Sequence, residues 1–135
     1  MATQAELAAF ILAEFPQTRC TILSVGNRSA TVRHSVSADE LRPGGTVSGP
    51  VMMTLADMAL YIAILGEIGI VPLAVTTSLT INFLKKPVAH RAIIGTCKLM
   101  KLGKTLAVGE VTITSEGSDE AVAHVVGTYA IPRKL

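Results

Sequence analysis

The fold is decided by residues 50–66, which read PVMMTLADMALYIAILG. Pro50 suits the first turn of a helix, where its missing N–H costs nothing. The residues after it are apolar on almost every side of the helix that they predict, and a helix of that kind is buried on most of its faces. We therefore expect residues 50–66 to form a long helix in the middle of the fold.

A membrane span is a poor explanation of this apolar run. Its most apolar stretch, Pro50 to Leu65, covers only about 16 residues and contains Asp57. A spanning helix needs ~20 predominantly apolar residues, and a carboxylate at the centre of a bilayer costs several kcal/mol. The N-terminus lacks the basic start of a secretory signal and carries Glu6 and Glu14. We expect a cytoplasmic protein that does not bind membranes.

The chain before the central helix predicts one short helix and a hairpin. Thr3 and Glu6 have the capping-box spacing, and the four-residue apolar repeat after them predicts a helix within the first 15 residues. Residues 18–25 and 29–36 are rich in β-forming residues. Gly26-Asn27 between these two runs is a hairpin signal.

Four segments after the central helix predict strands. Val75 to Phe83 alternates strictly in the two-residue period of a strand, and this strand is expected to end near Pro87. The other three segments are residues 92–102, 105–114 and 121–131. Residues 37–49, which contain three glycines and a proline, predict a loop.

The resulting order, α-β-β-α-β-β-β-β, predicts an α+β fold. An antiparallel sheet of five to six strands would curl around the long central helix and cover it on several sides. At 135 residues, one domain over residues 1–135 is the default expectation.

Composition excludes several classes of protein. Charged residues make up 16% of the chain, against about 25% in a typical domain, and this shortage suggests a surface hidden in an oligomer. A net charge of +2 without a basic stripe gives no support for nucleic-acid binding. The two cysteines cannot form a disulfide framework, and the three histidines have no metal-ligand spacing. We expect neither a metal site nor a cofactor.

Asp57 does not fit a purely structural account. Between Pro43 and Leu84 only Asp57 and Glu67 are charged, and Asp57 lies two turns inside the apolar helix. A carboxylate in such surroundings is costly unless it is paired or hydrogen-bonded, and carboxylates of this kind cluster at functional sites. Its neighbours on the helix surface are Thr54 and Tyr61, at i−3 and i+4. The alternative is a structural aspartate that bonds a loop or a nearby arginine.

The glycine-rich loop leads directly into the N-terminus of the central helix. Free N–H groups and the positive end of the helix dipole favour a partly negative oxygen there. Gly49 also lets a ligand approach the backbone closely. Neither of the common phosphate-loop patterns is present, so nucleotide binding has little support.

Four segments together resemble the hotdog-fold acyl-CoA thioesterases, most closely those of the phenylacetate-pathway type. They are RPGGTVSGPVMMTLADMALYIAILGEIG (42–69), AVTTSLTINFLKKP (74–87), KLGKTLAVGEVTI (101–113) and AVAHVVGTYAIP (121–132). The resemblance covers the chain from about residue 13 to residue 132. It implies a helix wrapped by an antiparallel sheet, assembled as a homodimer at least and often as a homotetramer.

The resemblance also implies roles for individual residues. Asp57 stands eight positions after Gly49 and matches the family's catalytic carboxylate, while Gly49 matches the residue whose N–H polarises the thioester carbonyl. The hydroxyl residue that helps to hold the attacking water falls on Thr76, with Thr77 one register away. The chain departs from the family with Ser48 for His, Pro50 for Gly and Arg42 for Asn. The expected substrate-binding residues are Arg42, Ser48, Pro50, Tyr61, Thr77 and Lys104, the last of these in the GKTLA turn.

Helix geometry sets Gly49 and Asp57 apart. Eight residues at 1.5 Å per residue separate them by roughly 12 Å, so the two cannot touch one carbonyl in the same chain. A two-fold dimer with antiparallel helices would instead bring Gly49 of one chain to Asp57 of the other.

The expected activity is the hydrolysis of aryl or short- to medium-chain acyl-CoA. Asp57 would act as general base or as nucleophile, and Arg42 is a candidate for offsetting its charge or for contacting the substrate. An acyl-CoA binder or scaffold without catalysis is the alternative. A dehydratase of the same fold is disfavoured because those enzymes usually place a histidine beside the acid.

Overall fold

The computed structural model describes residues 1–133 and contains two long helices and eight strands within them. In chain order these elements are α1 (Gln4–Glu14), β1 (Cys20–Gly26), β2 (Ser29–His34), β3 (Leu41–Arg42), β4 (Thr46–Val47), α2 (Gly49–Ile68), β5 (Val75–Phe83), β6 (Ile93–Leu102), β7 (Leu106–Ser115) and β8 (Ala121–Ala130). Six strands form one antiparallel sheet in the order β1-β2-β6-β7-β8-β5. The two-residue strands β3 and β4 form a separate small hairpin.

The predicted α+β architecture is confirmed. Both helices and all six long strands occur in the predicted order, with ends that differ by a few residues. The region predicted as a loop, residues 37–49, is more ordered than expected. It holds a short 3₁₀ helix (Ala38–Glu40) and the β3–β4 hairpin before α2 begins. Both pieces are too short for a periodic pattern to reveal them.

The sheet encloses α2. This helix is long and apolar enough to cross a membrane by length and composition, and it is the buried core helix of the fold. It packs mainly against β1, β2, β6 and β7. Its buried residues cover most of its circumference, as the apolar run predicts; they are Met52, Leu55, Ala56, Ala59, Leu60, Tyr61, Ile62, Ala63, Ile64, Leu65 and Gly66.

Two glycines let the helix approach the sheet. Gly109 on β7 and Gly127 on β8 face each other in the strand ladder, under Leu60 of α2. A Cβ on Gly127 would lie 2.4 Å from Leu60 Cδ1, and a Cβ on Gly109 would lie 2.8 Å from Leu60 Cδ2. A side chain at either position would therefore force the Leu60 side chain or the helix to shift.

The first hairpin turns one residue later than predicted. Gly26 pairs with Ser29, so the two loop residues are Asn27 and Arg28, rather than Gly26 and Asn27. Both loop residues have positive φ, 52° and 58°, as a type I′ turn requires. The Arg28 N–H donates to the Glu67 carboxylate (3.2 Å), and the Arg28 carbonyl accepts from the Leu99 N–H (2.8 Å). These bonds hold an arginine in a conformation that favours asparagine or glycine.

We expect Gly127→Ala to lower the free energy of unfolding by about 1–3 kcal/mol, because the new methyl group overpacks the contact with Leu60. Urea denaturation followed by circular dichroism measures this change. The control makes the same substitution in a Leu60→Ala variant. There the new methyl group has room, and Gly127→Ala should change the free energy of unfolding little. An equal cost in both backgrounds would contradict the packing explanation.

Candidate functional site

The Asp57 carboxylate is held by two hydroxyl groups. Asp57 lies in the third turn of α2 and is half-buried. Its Oδ1 atom accepts hydrogen bonds from Thr76 Oγ1 at 2.5 Å and from the Tyr129 hydroxyl at 2.6 Å. The ion pairs among residues 1–133 do not include Asp57, so Arg42 does not offset its charge within one chain. Two neutral hydroxyl donors, rather than a cation, stabilise this carboxylate within the chain.

A bulge in β5 selects Thr76 over Thr77. The register between β5 and β8 shifts between Thr76 and Ser78, so strict alternation is broken there. Without the shift, Thr77 would lie on the same face as Leu79; with it, Thr76 turns to α2 and reaches Asp57. Thr77 is exposed and donates to the Thr128 carbonyl at 3.2 Å. Thr77 therefore lies outside the Asp57 cavity of its own chain. The bulge directs the side chain of Thr76 into that cavity instead.

Tyr129 was not among the residues expected from sequence. It lies on β8 opposite Thr76 and is only 3% exposed. Burial raises the pKa of the Tyr129 phenol far above its ordinary value, and the hydrogen bond to Asp57 raises it further. A sequence signal was present, because a tyrosine on the inward face of an aliphatic strand needs a buried partner for its hydroxyl.

Asp57 opens into a cavity of about 340 Å³ with aromatic walls. The ring of Phe15, at the end of α1, packs edge-on against Tyr61 with centroids 6.0 Å apart, and Tyr61 lies 6.2 Å from Tyr129. The Tyr61 hydroxyl donates to the Pro72 carbonyl at 3.1 Å. Burial raises the pKa of Tyr61, so this hydroxyl stays protonated near neutral pH. Other residues that line the cavity are Thr54, Met58, Ala74, Val75 and Thr76.

The start of α2 presents Gly49. Ser48 is the N-cap residue, and its side chain makes no capping hydrogen bond. Its N–H donates to the Glu40 carbonyl at 3.2 Å, and its carbonyl accepts from the Met52 N–H. Among residues 1–133, the Gly49 N–H has no hydrogen-bond acceptor. Pro50 in the second position has no N–H, so Gly49 supplies the first free donor at the positive end of the helix.

Glu40 fixes the loop that carries this helix start. Its carboxylate lies 3.0 Å from the His34 ring and accepts from the Ser37 N–H at the same distance. Burial by itself favours the protonated acid, but these hydrogen bonds hold the pKa of Glu40 below its ordinary value. The ionised group therefore ties β2 to the residues just before Gly49 at neutral pH.

Gly49 and Asp57 open into different cavities. The Gly49 cavity, of about 430 Å³, shares no lining residue with the Asp57 cavity. A Cβ on Gly49 would lie 3.0 Å from Phe83 Cζ. Three cationic side chains line this second cavity, namely Arg42, Lys85 and Lys86. Within one chain the structure thus separates the carboxylate from the helix N-terminus, as the spacing along α2 predicts.

Comparison with known proteins identifies the family of this chain. Residues 44–122 match the family model described as the thioesterase superfamily, and they make up more than half of the chain. The chain belongs to the thioesterase superfamily. No curated protein matched the chain.

Solved structures of thioesterases share this fold. A proposed thioesterase from a Silicibacter species is 41% identical, with a TM-score of 0.89 over 97% of this chain and 92% of the other. The phenylacetic acid degradation protein PaaI from Thermus thermophilus is 25% identical, with a TM-score of 0.73 over 92% and 99% of the two chains. The PaaI protein of E. coli, at 24% identity, has the same fold, with a TM-score of 0.81 over 96% and 91%.

Lys104 lies apart from both cavities of this thioesterase-superfamily chain. It lines a third cavity, of about 620 Å³, together with Val71, Ile131 and Arg133. The structure therefore groups Tyr61 and Thr76 with Asp57, and Arg42 with Gly49. It leaves Lys104 with neither group inside one chain.

Proposed function

We propose that this chain hydrolyses acyl-CoA thioesters, with aryl or short- to medium-chain acyl groups, to the free acid and coenzyme A. The observation that carries the proposal is the Asp57 carboxylate, which two hydroxyls hold at the wall of an apolar cavity. Membership of the thioesterase superfamily supports the same reaction class. The aromatic and aliphatic side chains around Asp57 suit an acyl group, whose carbonyl carbon would then lie beside the carboxylate.

We propose further that the site is completed by a second subunit. Strand β5 lies at an edge of the sheet, and most of its residues are exposed. An unpaired edge is a ready template for another strand. Val75 and Thr76 at the start of β5 line the Asp57 cavity, while Phe83 at its end lines the Gly49 cavity.

A two-fold axis through the middle of β5 would join these two ends. Two β5 strands paired antiparallel around Leu79 would set Val75 of one chain opposite Phe83 of the other. The Asp57 cavity would then adjoin the partner's Gly49, which gives two shared sites per dimer. Exposed apolar side chains near these positions support a buried interface; they include Val75, Phe83 and Leu84.

The proposed reaction uses both halves of the site. Asp57 removes a proton from water while the water oxygen bonds to the thioester carbon, and the carbonyl π electrons move onto the oxygen. The partner's Gly49 N–H stabilises this oxyanion, an effect typically worth about 3–4 kcal/mol. When the carbonyl re-forms, the C–S bond breaks, and the proton on Asp57 passes to the departing thiolate.

Thr76 favours this general-base route over direct attack by Asp57. Its hydrogen is already donated to Asp57, so its oxygen remains free to accept a hydrogen bond from the attacking water. At the other end of the substrate, Arg42 and Lys86 offer positive charge to the coenzyme A phosphates, whereas Lys85 is paired with Glu120. A homotetramer and a cytoplasmic location stay predictions from the sequence.

We expect Asp57→Asn to lower kcat for acyl-CoA hydrolysis by at least about a hundredfold, because the amide cannot take the proton. Thiol release from a panel of aryl, short-chain and medium-chain acyl-CoAs measures this loss. Thr128→Val, a hydroxyl deletion on the outer side of the sheet, is the control. Tight acyl-CoA binding without thiol release by the wild type would instead support a binder or scaffold.

Subunit mixing tests whether the site is shared. Asp57→Asn and Gly49→Val should each inactivate the protein, the second because its side chain blocks the N–H. When the two are unfolded together at equal concentration and refolded, half of the dimers are mixed, and one of the two sites in each mixed dimer is intact. Activity should return to about a quarter of the wild-type value.

The corresponding control refolds each variant alone and should give no recovery. If Gly49 and Asp57 act within one chain, every site in the mixture carries a defect. No gain in activity on mixing, with mixed dimers verified by native mass spectrometry, would therefore reject the shared site.

A further inference from the structure

The two oxygens of the Asp57 carboxylate are in different environments. Oδ1 accepts from both Thr76 and Tyr129, at 2.5 and 2.6 Å. Among residues 1–133, Oδ2 accepts no hydrogen bond. Rotation of the carboxylate would break both short bonds to Oδ1. The two donors therefore fix its orientation and leave Oδ2 as the oxygen that is free to react.

Tyr129 serves this carboxylate only as a donor. Burial raises the pKa of its phenol far above the ordinary value, so it stays protonated throughout the pH range of an enzyme assay. A neutral phenol is neither a base nor a nucleophile. Its hydroxyl also lies 3.1 Å from the backbone carbonyl of Asp57, so it contacts the main chain of α2 as well as the side chain.

The sheet holds Tyr129 and Thr76 in register with each other. They are direct partners in the β5–β8 ladder, next to the bulge that turns Thr76 inward. On its other side, Tyr129 is paired with Ala107 of β7. A residue that is 3% exposed and lies between two strands has little freedom to move. The pair thus forms a fixed support under Asp57, which a donor on a loop would not provide.

We propose that Tyr129 is a positioning residue of the hydrolysis: together with Thr76 it holds Oδ1, so that Oδ2 takes the proton from the attacking water. This inference rests on the proposed thioesterase activity. In the step, the O–H bond of water breaks and an O–H bond to Oδ2 forms as the water oxygen adds to the thioester carbon. Tyr129 keeps its own proton and acts through Asp57.

Tyr129→Phe tests this role, because it removes the hydroxyl and keeps the ring. We expect kcat to fall by about ten- to a hundredfold, the effect of losing a hydrogen bond to a charged group, while KM changes by less than about twofold. The loss should therefore lie in kcat rather than in KM, because the phenylalanine ring still lines the Asp57 cavity.

Two further variants separate positioning from general damage. Thr128→Val removes the hydroxyl of the next residue on β8, which lies on the other side of the sheet, and should leave kcat and KM as in the wild type. Thr76→Val removes the second donor to Oδ1 and should also lower kcat with little change in KM. Thr76→Ser keeps a hydroxyl and should restore kcat. Thermal melting confirms that each variant is folded.

The outcomes distinguish the two proposals. If the wild type releases no thiol from any acyl-CoA, the thioesterase function and this inference both fail. If the wild type is active and Asp57→Asn is not, the inference alone is overturned by a Tyr129→Phe variant with unchanged kcat. It is also overturned if Tyr129→Phe and Thr128→Val lower kcat equally. Should Tyr129→Phe fail to fold, an unchanged kcat in Thr76→Val rejects the shared support of Oδ1.

Discussion

The partial burial of one carboxylate, that of Asp57, in a largely apolar helix constrains the strands around it. A half-buried ionised group loses part of its hydration, and no cation among residues 1–133 offsets that loss within the chain. Two hydroxyls from two neighbouring strands offset that loss instead. Because Thr76 and Tyr129 must both reach the same oxygen, β5 has to lie beside β8, and both strands have to face α2. The order of the strands and the hydrogen bonds of the carboxylate are thus linked.

Close contact between helix and sheet makes these short hydrogen bonds possible. Gly109 and Gly127 have no side chains, so the two strands beneath Leu60 leave room for the helix to pack closely against the sheet. The bulge in β5 then supplies the local rotation that directs Thr76 inward. The same strand leaves its outer edge unpaired within the described part of the chain. One strand therefore shapes the carboxylate's surroundings and offers the surface through which a second chain would complete the site.

Periodic patterns were enough to predict the helices, the strands and the isolated charge of Asp57, because burial of one face repeats along each element. Non-local features were not predictable in that way. Alternation alone would place Thr77 with the inward residues of β5, and only the bulge reverses the choice in favour of Thr76. Tyr129 was missed because its partner depends on which strands are neighbours, a property that no single segment contains. The hairpin loop falls on Asn27 and Arg28, one residue later than the sequence predicts. Hydrogen bonds of Arg28 with Glu67 and Leu99, which are distant in the sequence, stabilise it there.

A crystal structure of the assembled protein tests the shared site most directly. The ligand would be an acyl-CoA analogue in which a methylene group replaces the thioester sulfur, so that the carbonyl remains but hydrolysis cannot occur. We expect two chains paired through β5, with the carbonyl oxygen within hydrogen-bond distance of the Gly49 N–H of one chain. The carbonyl carbon should lie beside Asp57 Oδ2 of the other. A ligand that contacts Gly49 and Asp57 of the same chain, or that binds outside both cavities, would contradict this account.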